Sequence, residues 1–166
     1  MASVLAIIIC GFSLVTQPHY LVLDTNIVLD QIDLLESEGL NNVIILHTVL
    51  EEVRHRSSPV YKRLRDIISN HKRNFFVFVN EHRKETYIER QAGESANDRN
   101  DRAIRVACKW YHNHLSAYPP TKGLGVVMLS DDKKNRELGV DEGVVNYSLR
   151  ESVSYTHLTL PTILLV

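Results

Sequence analysis

Cysteine is almost missing from this 166-residue chain: Cys10 and Cys108 are the only two, and they form no CxxC pair or other metal-ligand spacing. That excludes a disulfide-stapled scaffold and a thiolate metal centre. Histidine patterns are equally unhelpful, since no HExxH spacing occurs and His112 and His114, two apart, do not share a helix face. Excess charge is also lacking. The formal net charge is -1 with a pI near 6.7, so any surface for an anionic polymer must be local. No hydrophobic run is long enough for a membrane span of about 20 residues. The apolar stretch Ser3 to Val15 carries no basic lead and no clear small-residue cleavage site. It reads as a start-site variant ahead of a cytosolic or nuclear protein, and no membrane partner is expected. Internal repeats are absent.

A chain of this length forms one domain, and a domain of about 150 residues buries roughly two-thirds of the surface its unfolded chain exposes. Short apolar runs alternate with helical segments. Tyr20-Leu21-Val22-Leu23 ends in Asp24-Thr25-Asn26, a strand running into a helix cap. Ile27 to Glu36 has helical spacing, with Gly39 after it. Val43 to Leu46 is a second strand, followed by a helical stretch from Thr48 that breaks near Pro59 and resumes through Ile68. Phe75 to Val79 and Val126 to Leu129 are further strands, and Val144 to Ser148 supplies a fifth. A short charged helix, Lys133 to Leu138, lies between the last two. This alternation predicts right-handed crossovers and an α/β three-layer sandwich with a central parallel sheet of about five strands, Rossmann-like in outline.

The most informative stretch is Ala96-Asn97-Asp98-Arg99-Asn100-Asp101-Arg102-Ala103-Ile104-Arg105. It opens a helix that Ser95 or Asn97 can cap, and its apolar stripe continues through Ile104, Cys108, Tyr111 and Leu115. Asp98 and Asp101 both start that stripe. Either they are first-turn acids satisfied by nearby arginines, or they are carboxylates aimed inward that need a cation. The topology sharpens the choice. Ligands of an open parallel sheet bind outside the carboxyl ends of its strands. Asp24 ends the first strand, Asp131 and Asp132 follow the fourth, Glu51 and Glu52 open the helix after the second, and Asp98 and Asp101 reach the same edge.

Each of these residues has a plain structural alternative. Asp24 and Asp131-Asp132 have the profile of helix caps, and periodicity hardly separates Glu52 from Glu51. The functional reading lies in the coincidence of four segments. Clustered carboxylates repel and take up protons unless a metal keeps them ionised, and an oxygen-only donor set suits Mg²⁺ or Mn²⁺. One or two such ions can activate a water and stabilise the leaving oxygen of a phosphodiester.

Several words of the chain resemble the PIN domain of the catalytic ribonuclease subunit of the eukaryotic RNA exosome. They are Pro18-His19-Tyr20-Leu21 with Asp24-Thr25-Asn26, Thr48 to Arg54, Ser58 to Arg63, Asn80-Glu81-His82 with Glu85-Thr86-Tyr87, Ala96 to Arg105, and Asp131 to Asn135. The resemblance runs over 18–153, leaving 1–17 as an apolar segment of its own and 154–166 as an atypical tail, disordered or foreign. It implies a PIN-like fold and a metal-dependent endoribonuclease that cleaves single-stranded RNA to leave a 5′-phosphate. Asp24, Glu52, Asp101 and Asp132 match the four metal-binding acids, with Asn26, Asp98 and Asp131 in supporting positions. Exosome core subunits are the implied partners, RNA processing and decay (ribosomal RNA included) the implied role, and the nucleus, nucleolus and cytoplasm the implied locations. Three departures stand out. The family's cysteine-bearing leading segment and its long exonuclease region are missing, and the end diverges after Val153, as in a fragment or truncated product.

Seven basic residues fall between Arg54 and Arg73 against one acid, Asp66. Arg54, Arg56, Lys62, Arg63 and Arg65 are candidate contacts to RNA phosphate or to a protein partner, against the plain alternative of a solvated face. A docking module with an idle nuclease site is the second function class. A phosphoacceptor domain using Asp24 is a distant third, because Val144 to Leu149 lacks the lysine it requires.

Overall fold

Leu21 to Leu23 and Val43 to Leu46 are buried at every position, as strands covered on both faces must be. A computed structural model describes residues 19–37 and 40–149. Five strands form one parallel sheet: β1 (His19–Leu23), β2 (Val43–Leu46), β3 (Phe75–Phe78), β4 (Gly125–Leu129) and β5 (Asn146–Tyr147). Their spatial order is β3-β2-β1-β4-β5, so the chain changes direction across the sheet between β1 and β4. Helices α1 (Thr25–Asp30), α2 (Ile32–Glu36), α3 (His47–Arg56), α4 (Ser58–Ser69), α5 (Ala96–Ala117) and α6 (Lys133–Asp141) complete the expected α/β sandwich. Among the described residues, no helix is long and apolar enough to cross a membrane.

The core is the sheet's two faces and the helix stripes laid on them. α5 packs on β4 through Ile104, Ala107, Cys108 and Leu115. Cys108 is fully enclosed, and burial pushes its thiol well above the usual range, so it is an inert packing residue.

Local departures from the sequence reading have local causes. Ile27 to Glu36 is two short helices, because Gln31 leaves helical geometry at φ -125° and restarts the chain as the N-cap of α2. The break between α3 and α4 falls at extended Ser57, whose side chain caps α4. Pro59 sits in the first turn, where its missing N–H has no helical partner to lose. Because α3 starts at His47, directly after β2, Glu51 and Glu52 lie in its second turn rather than at its opening. The fifth strand shrinks to two residues. The 1–17 segment, Gly39 and the 154–166 tail lie outside the described residues.

Candidate functional site

The β1–β4 pairing builds the site. Leu23 is in register with Leu129, and Asp24 N donates to Leu129 O at 2.9 Å, which sets Asp24 beside Ser130. Ser130 Oγ donates to Asp24 Oδ2 at 2.6 Å and accepts from Asp132 N at 3.2 Å. One hydroxyl thus ties the first and last acids together across the direction change in the sheet. Asp24 is 2% exposed and also accepts from Thr25 N at 2.6 Å. Burial raises its pKa above the ordinary carboxylate value, while the Ser130, Thr25 and Asn135 donors work to keep it charged.

Glu52 comes from α3. Its Oε2 accepts from Thr25 Oγ1 at 2.9 Å and from Asn100 Nδ2 at 3.2 Å, so the residues following β1 and opening α5 hold it from two sides. Asp101, one turn into α5, has a weaker hold: Asn97 Nδ2 donates to it at 3.2 Å from the same helix. Burial, then the neighbouring charges of Asp24 and Asp132, push its carboxyl up to about 7, with Glu52 adding to the rise and Arg105 opposing it. Asp101 therefore feels the charge of each of the other three acids expected from the sequence. Asp132 also has the plainer role, capping α6 by accepting from Asn135 N at 2.9 Å.

The supporting residues have partners of their own. Asp98 is not on the core stripe. Its side chain is 42% exposed, bridging Ser95 Oγ at 2.6 Å and Lys134 Nζ at 2.7 Å, and these two hydrogen bonds hold its pKa down. The first-turn reading is thus correct for Asp98, with a lysine as the partner. Asp131 accepts from Leu149 N at 2.9 Å. Asn26 accepts from Arg56 Nη1 at 3.0 Å, and the same nitrogen reaches Glu52 Oε1 at 3.4 Å.

Among the described residues, no three histidine, cysteine or acidic side chains converge closely enough to hold a metal ion in this arrangement. The donor set nonetheless suits a hard divalent cation. It is all oxygen, it comes from four segments, and the mutual repulsion that lifts Asp101 is what a cation would relieve. A cavity of about 240 Å³ opens beside Asp101, lined also by Asp98, Lys134 and Asn135. A second, of about 310 Å³, flanks Glu52 with His47, His55, Glu81 and Arg99. Arg99 grips Glu81 through both guanidinium nitrogens, at 2.6 and 2.7 Å, fixing α5 to the turn after β3.

The basic face of α3 and α4 is largely engaged. Arg54 pairs with Glu51 at 2.5 Å, and Arg63 with Asp33 at 2.5 Å and Glu36 at 2.6 Å. Arg56 reaches Glu52 at 3.4 Å, and Arg65 lies over the Tyr61 ring. Lys62 is exposed.

Sequence reasoning missed Ser130, Asn100 and Asn135, neutral residues that hold or face the acids. Their only linear signal is adjacency, since Ser130 precedes Asp131, Asn100 precedes Asp101, and Asn135 stands at capping distance from Asp132.

A family model described as a PIN domain matches residues 21–150. A mouse (Mus musculus) protein named exosome complex exonuclease RRP44 is 52% identical over 141 residues, covering 85% of this chain and 15% of that protein. The fission yeast (Schizosaccharomyces pombe) exosome complex exonuclease dis3 is 40% identical over 138 residues, 82% of this chain and 14% of that one. Among solved structures, the T. brucei RRP44 PIN domain superposes with a TM-score of 0.72 at 29% identity, covering 84% of this chain and 79% of that chain. The chain thus spans about 15% of the length of the mouse relative.

Proposed function

This chain belongs to the PIN domain family, and from that membership we propose that it is a divalent-metal-dependent endoribonuclease acting on single-stranded RNA in exosome-linked RNA processing and decay. The observation that carries the reading is the rim of four acids, Asp24, Glu52, Asp101 and Asp132, drawn from four segments to the carboxyl edge of the sheet, with Asp101 lifted to about 7 by burial and by its neighbours. Bound there, one or two Mn²⁺ or Mg²⁺ ions would lower the pKa of a coordinated water and neutralise charge on the scissile phosphate. Asp24, anchored by Ser130, and Asp132 would supply carboxylate oxygens from just beyond the carboxyl ends of the adjacent strands β1 and β4. Glu52 and Asp101 supply them from α3 and α5. The closely packed acids repel RNA phosphate in the metal-free protein, so these residues make binding at the scissile position depend on the cation.

Lys62 and Arg65, exposed on α4, with Arg54, Arg56 and Arg63 beside them, form the surface along which RNA phosphates would run. Exposed ion pairs such as Arg54–Glu51 are worth about 0–1 kcal/mol and exchange readily for phosphate. The relatives' names support a proposed assembly with other exosome subunits, and the nucleus, nucleolus and cytoplasm are proposed as locations from the sequence resemblance alone.

A second reading has one observation in its favour. The four carboxylates are individually held and, among the described residues, no three converge, as would suit a docking module that tethers a ribonuclease to the exosome core. Circular single-stranded RNA separates the two, because a circle offers no end. Linearisation in Mn²⁺ by the wild type, and none by a folded Asp101→Asn variant, supports the endoribonuclease. An intact circle with wild-type protein in Mn²⁺ leaves the tether.

A further inference from the structure

Two buried polar side chains stand behind the acid rim. Arg105 is 4% exposed and Asn135 is 1% exposed. Arg105 Nη1 donates to Asn135 Oδ1 at 2.7 Å, and its Nε donates to Glu142 Oε1 at 3.0 Å. A guanidinium has donors only, so the amide must present its oxygen to Arg105 and its nitrogen away from it. The amide orientation is therefore dictated by chemistry. Nδ2 is left buried with no hydrogen-bond partner, and it belongs to a residue seated on the Asp132 cap, which Ser130 ties in turn to Asp24. Buried donors are rarely left open, and one that is open calls for a partner.

The surroundings say which partner. Asp24 already takes Thr25 N on Oδ1 and Ser130 Oγ on Oδ2, so its carboxylate is oriented by donors on two sides. Asn135 offers a further donor, still unpaired, from α6, the helix that Asp132 caps. Glu142, the C-cap of that helix, anchors the far end of Arg105. A charged side chain thus runs behind the site from the end of α6 to its first turn and fixes one amide there.

We propose that Arg105 and Asn135 are a positioning pair for Asp24: Arg105 sets the amide, and Asn135 Nδ2 closes on the Asp24 carboxylate when that group takes up a divalent cation. This rests on the metal-dependent reading above. Both residues act through the Asp24 carboxylate. Hydrogen bonds that orient a ligating carboxylate typically matter by about 10–100-fold in metal affinity.

The test titrates Mn²⁺ calorimetrically into the metal-free 166-residue chain and its variants, with folding checked by circular dichroism in EDTA. Asn135→Ala is expected to weaken Mn²⁺ about tenfold while remaining folded. Arg105→Lys keeps the charge toward Glu142 but loses the planar fork, and should weaken Mn²⁺ severalfold. The double variant should bind no more weakly than Asn135→Ala, because Arg105 acts through the amide; a packing role would not produce this non-additivity in metal affinity. Unchanged Mn²⁺ affinity in folded Asn135→Ala, or losses that multiply in the double variant, would overturn the pair. Should Asn135→Ala not fold, unchanged affinity in Arg105→Lys overturns it equally. A wild type that binds Mn²⁺ beside an unaffected variant removes the pair alone. A wild type that binds none removes the metal reading and the pair with it.

Discussion

The acid rim and the arginine-bearing face of α3 and α4 are both dense in charge, and the fold treats them in opposite ways. On the basic face, Arg54 and Arg63 sit on acids at 2.5 to 2.6 Å. On the rim, Asp24, Asp101 and Asp132 are steadied by neutral donors, Glu52 adds only a longer contact to Arg56 at 3.4 Å, and the Arg105 charge does not bring Asp101 back to an ordinary pKa. Surface charge that is already paired is solubilising and only weakly selective. Charge of one sign, half-buried and held in place against its own repulsion, is a site prepared for something of the other sign. Asp98 and Asp101 make the same contrast within one helical turn. The first is exposed and answered by Lys134; the second is half-buried and, among the described residues, lacks a cationic hydrogen-bond partner.

The sharpest way to break this contrast is to remove rim acids. Asp24→Asn or Asp101→Asn should lower Mn²⁺-dependent RNA cleavage by about a hundredfold or more, exceeding the loss typical of groups that merely orient a ligand. Initial rates on a uniform single-stranded substrate check it. Activity within threefold of wild type in both variants would dissolve the distinction between the two regions.

Stability gives the next effect. The Glu81–Arg99 pair, with side chains 19% and 17% exposed, is the rim's paired counterpart. Burial works against the Glu81 charge, but hydrogen bonds from Arg99 and Thr48 win and hold its carboxyl below the ordinary 4.5. A depressed carboxylate stabilises the fold above its unfolded pKa and loses that contribution as pH falls through its folded one. Melting temperature should therefore fall as pH is lowered below about 4.5, and Glu81→Gln should lower it by about 4 °C near neutral pH while flattening this acid limb. An unaltered acid limb in the variant would assign the loss to other carboxylates.

Asp101→Asn should act in the other direction. Neutralising a carboxylate that burial and like charge both disfavour should raise the metal-free melting temperature by about 3 °C, and should reduce the rise seen on adding Mn²⁺. A lower melting temperature would mean that the Asp101 charge is satisfied after all. The smallest effect belongs to the basic face. Lys62→Ala with Arg65→Ala should weaken RNA binding a fewfold and flatten the salt dependence by about 0.7 for each phosphate no longer neutralised. A loss as large as that for Asp101 would place the RNA grip there instead.

The sheet was legible because strands buried on both faces must be continuous apolar runs, and Tyr20–Leu23, Val43–Leu46 and Val126–Leu129 are such runs. The rim was legible as topology, since strand ends of a parallel sheet share one edge. The restart at Gln31 was not, having neither glycine nor proline to announce it. The outward turn of Asp98 depends on Lys134, thirty-six positions away. Ser130 was invisible for the same reason: its partner Asp24 lies 106 residues earlier, and a serine at a strand end carries no long-range pattern. What the sequence showed was which groups reach the edge; which of them are left unpaired is set by contacts between segments.

The most direct measurement is a crystal structure of the chain soaked in Mn²⁺, with anomalous scattering used to find the metal. The expected result is a peak within about 2.5 Å of carboxylate oxygens from Asp24, Asp101 and Asp132, with Glu52 reaching it directly or through water. A well-ordered rim with no peak, or a peak held by other residues, would contradict the reading of the rim as a metal site.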